Sequence, residues 1–207
     1  MGGPVIAIDF ETTGLSPDAG ARATEVAAVV LDGGRVVARF QSLMNAGVWI
    51  PPFITELTGI TNEMVQRAPS AADVIREFTR FIGDAPLVAH NAAFDRKFLD
   101  AELQRIRLKR RQDVACSLRV ARRVYPGAPD HTLATLVRYA GVRVGGRHHR
   151  ALADAEMAAA LWLRMQEELR DTFGLRAVPH ELMCQLQTVR RAGLADFMEG
   201  YTRRYRS

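Results

Sequence analysis

Cysteine is scarce in this chain: Cys116 and Cys184 are the two among 207 residues, and no Cys-x-x-Cys occurs. That excludes a disulfide framework and a thiolate metal site, and it fits a reducing cytosol. Long apolar runs are missing as well. No stretch approaches the roughly 18 apolar residues that span a bilayer, so a membrane role is not expected. The first residues, Met1 to Asp9, carry no basic region ahead of their apolar run and meet acids at once, which does not read as a secretion signal. A cytoplasmic location is the expectation. Internal repeats and low-complexity tracts are also absent.

What is present is the balance of an ordinary globular protein, 48% apolar and 25% charged. The length suits one domain with a real hydrophobic core and a modest appendage. Net charge is +5, and its distribution says more than its sum. Residues 1 to 95 carry 6 basic and 11 acidic side chains, whereas residues 96 to 150 carry 14 and 4. The basic stretch includes Lys109-Arg110-Arg111, the group Arg119, Arg122 and Arg123, and then Arg143, Arg147 and Arg150. Such density can neutralise phosphates and release their counterions, and it can equally be a solvated helix face.

Along the chain, Val5 to Glu11 is an apolar, β-branched run closed by Thr12-Thr13-Gly14, the pattern of a buried strand ending in a turn. Ala23 to Leu31 and Val36 to Met44 flank Asp32-Gly33-Gly34-Arg35, a hairpin signal. Ser70-Ala71-Ala72-Asp73 resembles a capping box, and the spacing of Val74, Ile75, Phe78, Phe81 and Ile82 predicts a helix from Ser70 to Ile82. A short strand follows at Pro86 to Ala89. Helices are then expected from Ala93 to near Arg107, Leu118 to Tyr125, Leu133 to Ala140, and Ala151 to Leu169, the last rich in Ala, Leu, Met and Glu. Beyond Phe173 the texture changes, and Gly174 and Pro179 bound a link to a second amphipathic segment with Leu182, Met183, Leu186 and Val189. Strands first, helices later and one strand-helix-strand return predict an α/β fold with a mixed central sheet flanked by helices.

Three acidic features stand at element ends. Asp9 and Glu11 are two apart on a strand, so both emerge on one face where the strand gives way to a turn. At about 4 to 5 Å and an effective dielectric near 20, such a pair repels by roughly 3 to 4 kcal/mol, so a divalent cation would relieve it. Asp95, in His90-Asn91-Ala92-Ala93-Phe94-Asp95, sits where a strand turns into a helix, a place that also suits an acid complementing the helix dipole. His149-Arg150-Ala151-Leu152-Ala153-Asp154 enters the Ala-rich helix. Residues five apart are about 140° apart on a continuous helix, so His149 can converge with Asp154 only from the loop before it.

Together these features resemble the DEDDh exonuclease superfamily, which includes the epsilon proofreading subunit of bacterial DNA polymerase III, ribonuclease T and oligoribonuclease. Ile8-Asp9-Phe10-Glu11-Thr12-Thr13-Gly14-Leu15 matches the first motif, Val88 to Asp95 the second and His149 to Asp154 the third, and the similarity covers residues 4 to 168. The stretches Ile54 to Met64 and Cys116 to Pro126 resemble the family's connecting segments. The resemblance implies a ribonuclease H-like fold, and the change of texture beyond Phe173 divides the chain into an exonuclease domain at residues 1–172 and a helical C-terminal extension at 173–207. It implies two Mg²⁺ or Mn²⁺ ions held by Asp9, Glu11, Asp95 and Asp154, oxygen donors that suit hard cations. Paired metals activate a water on one side of phosphorus and stabilise the leaving oxygen on the other. His149 would be the general base, the family spacing selecting it over His148. Thr12, Leu15, Asn91 and Phe94 would hold the terminal nucleotide. His90, His131 and His180 are read as structural or surface residues.

The function so implied is 3′-to-5′ exonuclease activity releasing nucleoside 5′-monophosphates, with a single-stranded 3′ end as partner and DNA slightly favoured. RNA ends, and a noncatalytic nucleic-acid-binding module, stand as alternatives. The tail lacks a convincing sliding-clamp peptide at Gln185-Leu186-Gln187-Thr188-Val189, so docking of a replication or repair protein on the extension stays open. So does a homodimer.

Overall fold

The site depends on one strand and two helix starts. In the computed structural model, which describes residues 3–143 and 150–205, β1 (Val5–Thr12) occupies the middle of a five-stranded sheet. β2 (Ala23–Asp32) lies antiparallel beside it and leads into β3 (Arg35–Leu43). Gly33 and Gly34 turn this hairpin with φ of 56° and 77°, the left-handed pair that lets a two-residue turn follow the twist of the strands. On the other side β4 (Leu87–Ala89) and β5 (Val114–Cys116) run parallel to β1, giving the order β3-β2-β1-β4-β5.

Nine helices are described: α1 (Pro52–Thr58), α2 (Asn62–Gln66), α3 (Ala71–Ile82), α4 (Ala93–Arg105), α5 (Ser117–Val124), α6 (Leu133–Tyr139), α7 (Ala151–Phe173), α8 (His180–Leu186) and α9 (Leu194–Tyr205). They cover both faces of the sheet, as its apolar strands require. Ile6, Ile8 and Phe10 of β1 face Val74, Ile75 and Phe78 of α3 and Leu99 of α4, and Phe10 meets Phe78 edge to face at 5.9 Å. Val5 and Ala7 point the other way, onto α7. Small residues on that helix, Ala151, Ala155, Ala158 and Ala159, are buried and bring its backbone close to the sheet, while Trp162 fills the space below.

The expected elements are present, and the differences have physical causes. The helix expected to end at Leu169 continues to Phe173 and stops at Gly174, whose φ of 62° suits a residue without a β-carbon. β5, α1 and α2 carry no periodic signal because they span only 3, 7 and 5 residues. Ser70 caps α3 by accepting the Asp73 N–H at 3.2 Å, as the capping-box pattern predicts.

Beyond residue 173 the chain packs back on its own core. Val178, Leu182, Met183, Leu186 and Met198 join the apolar cluster that holds Trp162 and the inner face of α7. Gln187 Oε1 accepts the Cys116 N–H at the end of β5 at 2.9 Å. Among the described residues no helix is long and apolar enough to cross a membrane.

Candidate active site

Alternation along β1 puts Asp9 and Glu11 on the face that carries Val5 and Ala7, the side covered by α7. The sheet register breaks between Glu11 and Thr12, and there the strand bends away towards its turn. Asp154 stands in the first turn of α7. Carboxylate oxygens of Asp9, Glu11 and Asp154 all lie within 4.8 Å of one another.

Asp95 belongs to a different setting. It occupies the first turn of α4, is 2% exposed, and its Oδ1 accepts the Phe10 N–H at 3.2 Å, so it is anchored on β1 between the two strand acids. Of the neighbouring charges, that of Asp95 acts most strongly on Asp9. The expected four carboxylates therefore appear as a cluster of three with a buried fourth tied in beside it.

The electrostatics show what this arrangement favours. Burial, then the charges of Asp95, Asp154 and Glu11, hold Asp9 well above the usual carboxylate range. Burial followed by Asp154 and Glu25 pushes Glu11 up to about 8, against a lowering by Arg150. Burial pushes Asp95 up to about 7 although two backbone N–H bonds oppose it. Hard oxygen donors this close, costly to ionise together, fit a divalent cation of the Mg²⁺ or Mn²⁺ type.

The remaining predicted residues ring the acids in sequence. Thr12 is buried and its hydroxyl donates to Gly14 O at 2.7 Å, shaping the turn that leaves Leu15 82% exposed. Asn91 is exposed in the left-handed region, φ 62°, and its carbonyl accepts the Phe94 N–H at 2.9 Å, which starts α4. Phe94 is half-buried against Phe98, ring centres 4.9 Å apart, with the Lys97 ammonium 5.2 Å from its ring centre. His149 and its rival His148 lie outside the described residues, as does Arg147.

The other histidines are engaged internally. His90 bonds Ser117 Oγ at 2.9 Å and His131 O at 3.0 Å, His131 contacts Tyr125 O at 3.2 Å, and His180 packs on Trp162 at 5.6 Å between ring centres. Part of the basic stretch is structural too. Arg110 pairs with Asp100 at 2.9 Å, and Arg123 donates to Val189 O at 2.9 Å.

Two buried acids went unnoticed in the sequence. Glu25 lies opposite Glu11 in the β1–β2 pairing and binds Arg150, while Glu102 on α4 binds Arg22. A signal existed for each. Glu25 is the lone charge in the apolar run Ala23 to Leu31, and Glu102 falls seven residues after Asp95 on the helix face shared with Phe98 and Leu99.

A mixed β3-β2-β1-β4-β5 sheet with carboxylates gathered at the end of its central strand defines a nuclease of the ribonuclease H-like class. The chain belongs to the exonuclease family of the ribonuclease T type, whose profile matches residues 6–162, and it is a 3′-5′ exonuclease of the DEDDh type. It is 34% identical to DNA polymerase III subunit epsilon of Aquifex aeolicus over 176 residues, covering 84% of this chain and 86% of that protein. With the PolC-type DNA polymerase III of Bacillus subtilis it shares 39% identity over 165 residues, which is 79% of this chain and only 11% of the polymerase. Among solved structures it resembles exonuclease X in complex with 5′ overhanging duplex DNA, with a TM-score of 0.70 and 29% identity, covering 88% of this chain and 99% of that one.

Proposed function

We propose that this exonuclease removes nucleotides one at a time from single-stranded 3′ ends, DNA in preference to RNA, and releases nucleoside 5′-monophosphates. The observation that carries the reading is the convergence of Asp9, Glu11 and Asp154 within 4.8 Å, with Asp95 buried beside them. These four carboxylates would hold two Mg²⁺ or Mn²⁺ ions. Bound metals supply charge to the attacking water, the phosphate and the leaving 3′-oxygen. The chain's own residues do the rest. His149 takes the proton from the attacking water. Leu15, standing out from its turn, and the half-buried ring of Phe94 pack against the terminal base. The Thr12 and Asn91 turns set the backbone that receives the terminal nucleotide.

The preference for DNA rests on relatives: the Aquifex aeolicus protein is a DNA polymerase subunit, and exonuclease X is seen on DNA. A replication polymerase is accordingly the partner proposed, and the cytoplasm the location. The division into an exonuclease domain at 1–172 and an extension at 173–207 follows the end of the family match at residue 162 and the break at Gly174. The test compares 5′-labelled DNA and RNA oligonucleotides of matched sequence with Mn²⁺, Mg²⁺ and chelator. The reading expects metal-dependent shortening from the 3′ end, faster on DNA, with 5′-monophosphates as products. Equal or faster loss of RNA would reverse the substrate assignment, and binding without hydrolysis would leave a noncatalytic module.

A further inference from the structure

The 23-residue helix α7 begins without a local cap. Its first-turn N–H groups need acceptors, and the residue at the cap position, Arg150, has a side chain that only donates. The acceptor comes from another strand. Glu25 on β2 has a side chain only 1% exposed, and its Oε2 accepts the Ala151 N–H at 3.1 Å. The same carboxylate receives the Arg150 guanidinium at two points, Nη2 to Oε1 at 2.7 Å and Nε to Oε2 at 3.1 Å. Gln41 on β3 adds a further donor to Oε1 at 2.8 Å. A carboxylate buried this deeply and held by these four hydrogen bonds has little freedom to move.

We propose that Glu25 is a positioning residue for the third motif: through Ala151 and Arg150 it sets where α7 starts, and hence where Asp154 stands. The inference rests on the reading of Asp154 as a metal ligand. Glu25 pairs directly with Glu11 in the sheet, so the strand bearing two of the acids and the helix bearing a third are referenced to each other across one side chain. Asp154 follows one turn into the helix, its N–H donating to Arg150 O at 3.1 Å. A misplacement of about 1 Å in such a group costs on the order of 10²-fold in rate.

The test uses the full chain as wild type, Glu25→Gln, Glu25→Ala and Arg150→Ala, with Asp154→Asn as reference. Amide hydrogen exchange is measured without metal, Mn²⁺ affinity by calorimetry, and kcat and KM on a thymidine oligonucleotide. In Glu25→Ala the amides of Ala151 to Ala155 should exchange at least roughly tenfold faster while those of Leu161 to Leu169 stay protected. Its kcat should fall by roughly 10²-fold and its Mn²⁺ affinity should drop, with KM held within about twofold. Glu25→Gln and Arg150→Ala each keep an acceptor for Ala151 and should fall between. Unchanged first-turn exchange, or faster exchange with wild-type kcat and Mn²⁺ affinity, would overturn the proposal and leave Glu25 as a core ion pair. Should Glu25→Ala fail to fold, Glu25→Gln and Arg150→Ala carry the same outcomes at smaller size, because both weaken the junction while keeping an acceptor for Ala151. Failure of the underlying reading looks different: Asp154→Asn would then keep wild-type Mn²⁺ affinity and turnover, whatever the exchange shows.

Discussion

Arg22 and Glu102, 80 residues apart, form a two-point ion pair with Nε to Oε1 at 2.7 Å and Nη2 to Oε2 at 2.9 Å. Arg22 also donates to Ala46 O at 3.0 Å, and its backbone closes the turn after β1 by exchanging bonds with Thr13 at 2.9 and 3.0 Å. The pair thus ties the turn that presents Leu15 to the helix that carries Asp95.

Arg22→Ala leaves the Glu102 carboxylate, only 3% exposed, without its counter-ion, and should destabilise the fold by about 3 to 5 kcal/mol. A double variant, Arg22→Ala with Glu102→Leu, should recover much of that loss because no charge remains buried. Urea unfolding of both checks it, and equal stabilities for the single and double variants would refute the account.

Asp9→Asn and Asp154→Asn each remove a donor from the acid cluster and should lower Mn²⁺-dependent turnover by several orders of magnitude. Without metal the same changes relieve repulsion, since the charges of Asp95, Asp154 and Glu11 all raise Asp9. Thermal unfolding in chelator should therefore show both variants at least as stable as wild type. Near wild-type turnover in both would sink the two-metal assignment.

Raised carboxyl groups make a pH prediction whose sign is definite. Glu11 ionises at about 8 in the fold against 4.5 for an ordinary glutamate, so between those values the native state binds more protons than the unfolded chain. Its contribution to metal-free stability must then decrease as pH rises through that window, and the difference in Tm between wild type and Glu11→Gln in chelator should shift against wild type from pH 5 to pH 8. Added Mg²⁺ should release protons as it binds and flatten the trend. A difference that is constant with pH would mean that Glu11 titrates normally.

His149→Ala should lose roughly 10²- to 10⁴-fold in kcat, the range for a general base, with much less effect on metal affinity, whereas His148→Ala should lose little. The rate should also fall as pH drops through the imidazole range near 6.5. Both single variants are compared at saturating Mn²⁺ after circular dichroism shows that they fold. A crippled His148→Ala would move the third motif by one residue, and two active variants would remove histidine from the mechanism.

Much of this architecture is legible in the sequence because it rests on period and punctuation. Val5 to Glu11 alternates into a buried strand, Gly33-Gly34 demands a tight turn, and Ser70 and Asp73 mark a helix start. The acids of the site were also readable, being paired at the end of one strand and at two helix starts. The convergence of Asp154 with Asp9 and Glu11 was implied by the family resemblance alone and not by period or punctuation, because it depends on how α7 lies over β1, a packing relation between residues some 145 positions apart. Glu25 and Glu102 stayed hidden for the same reason. An acid inside an apolar pattern looks like an exception until its distant arginine is placed against it.

The Gln187 bond to the Cys116 N–H has a consequence for how copies of the chain behave in solution. β5 is the outermost strand on its side of the sheet, and a bare outer strand is a template on which another molecule can add a strand of its own. The tail blocks that template with a side chain where a neighbour's backbone would dock, and α8 lies alongside it. Cutting the chain after Phe173 would uncover this border together with the apolar residues Leu182 and Met183 had shielded. The shortened protein should stay monodisperse only when dilute, and form β-rich aggregates as its concentration rises.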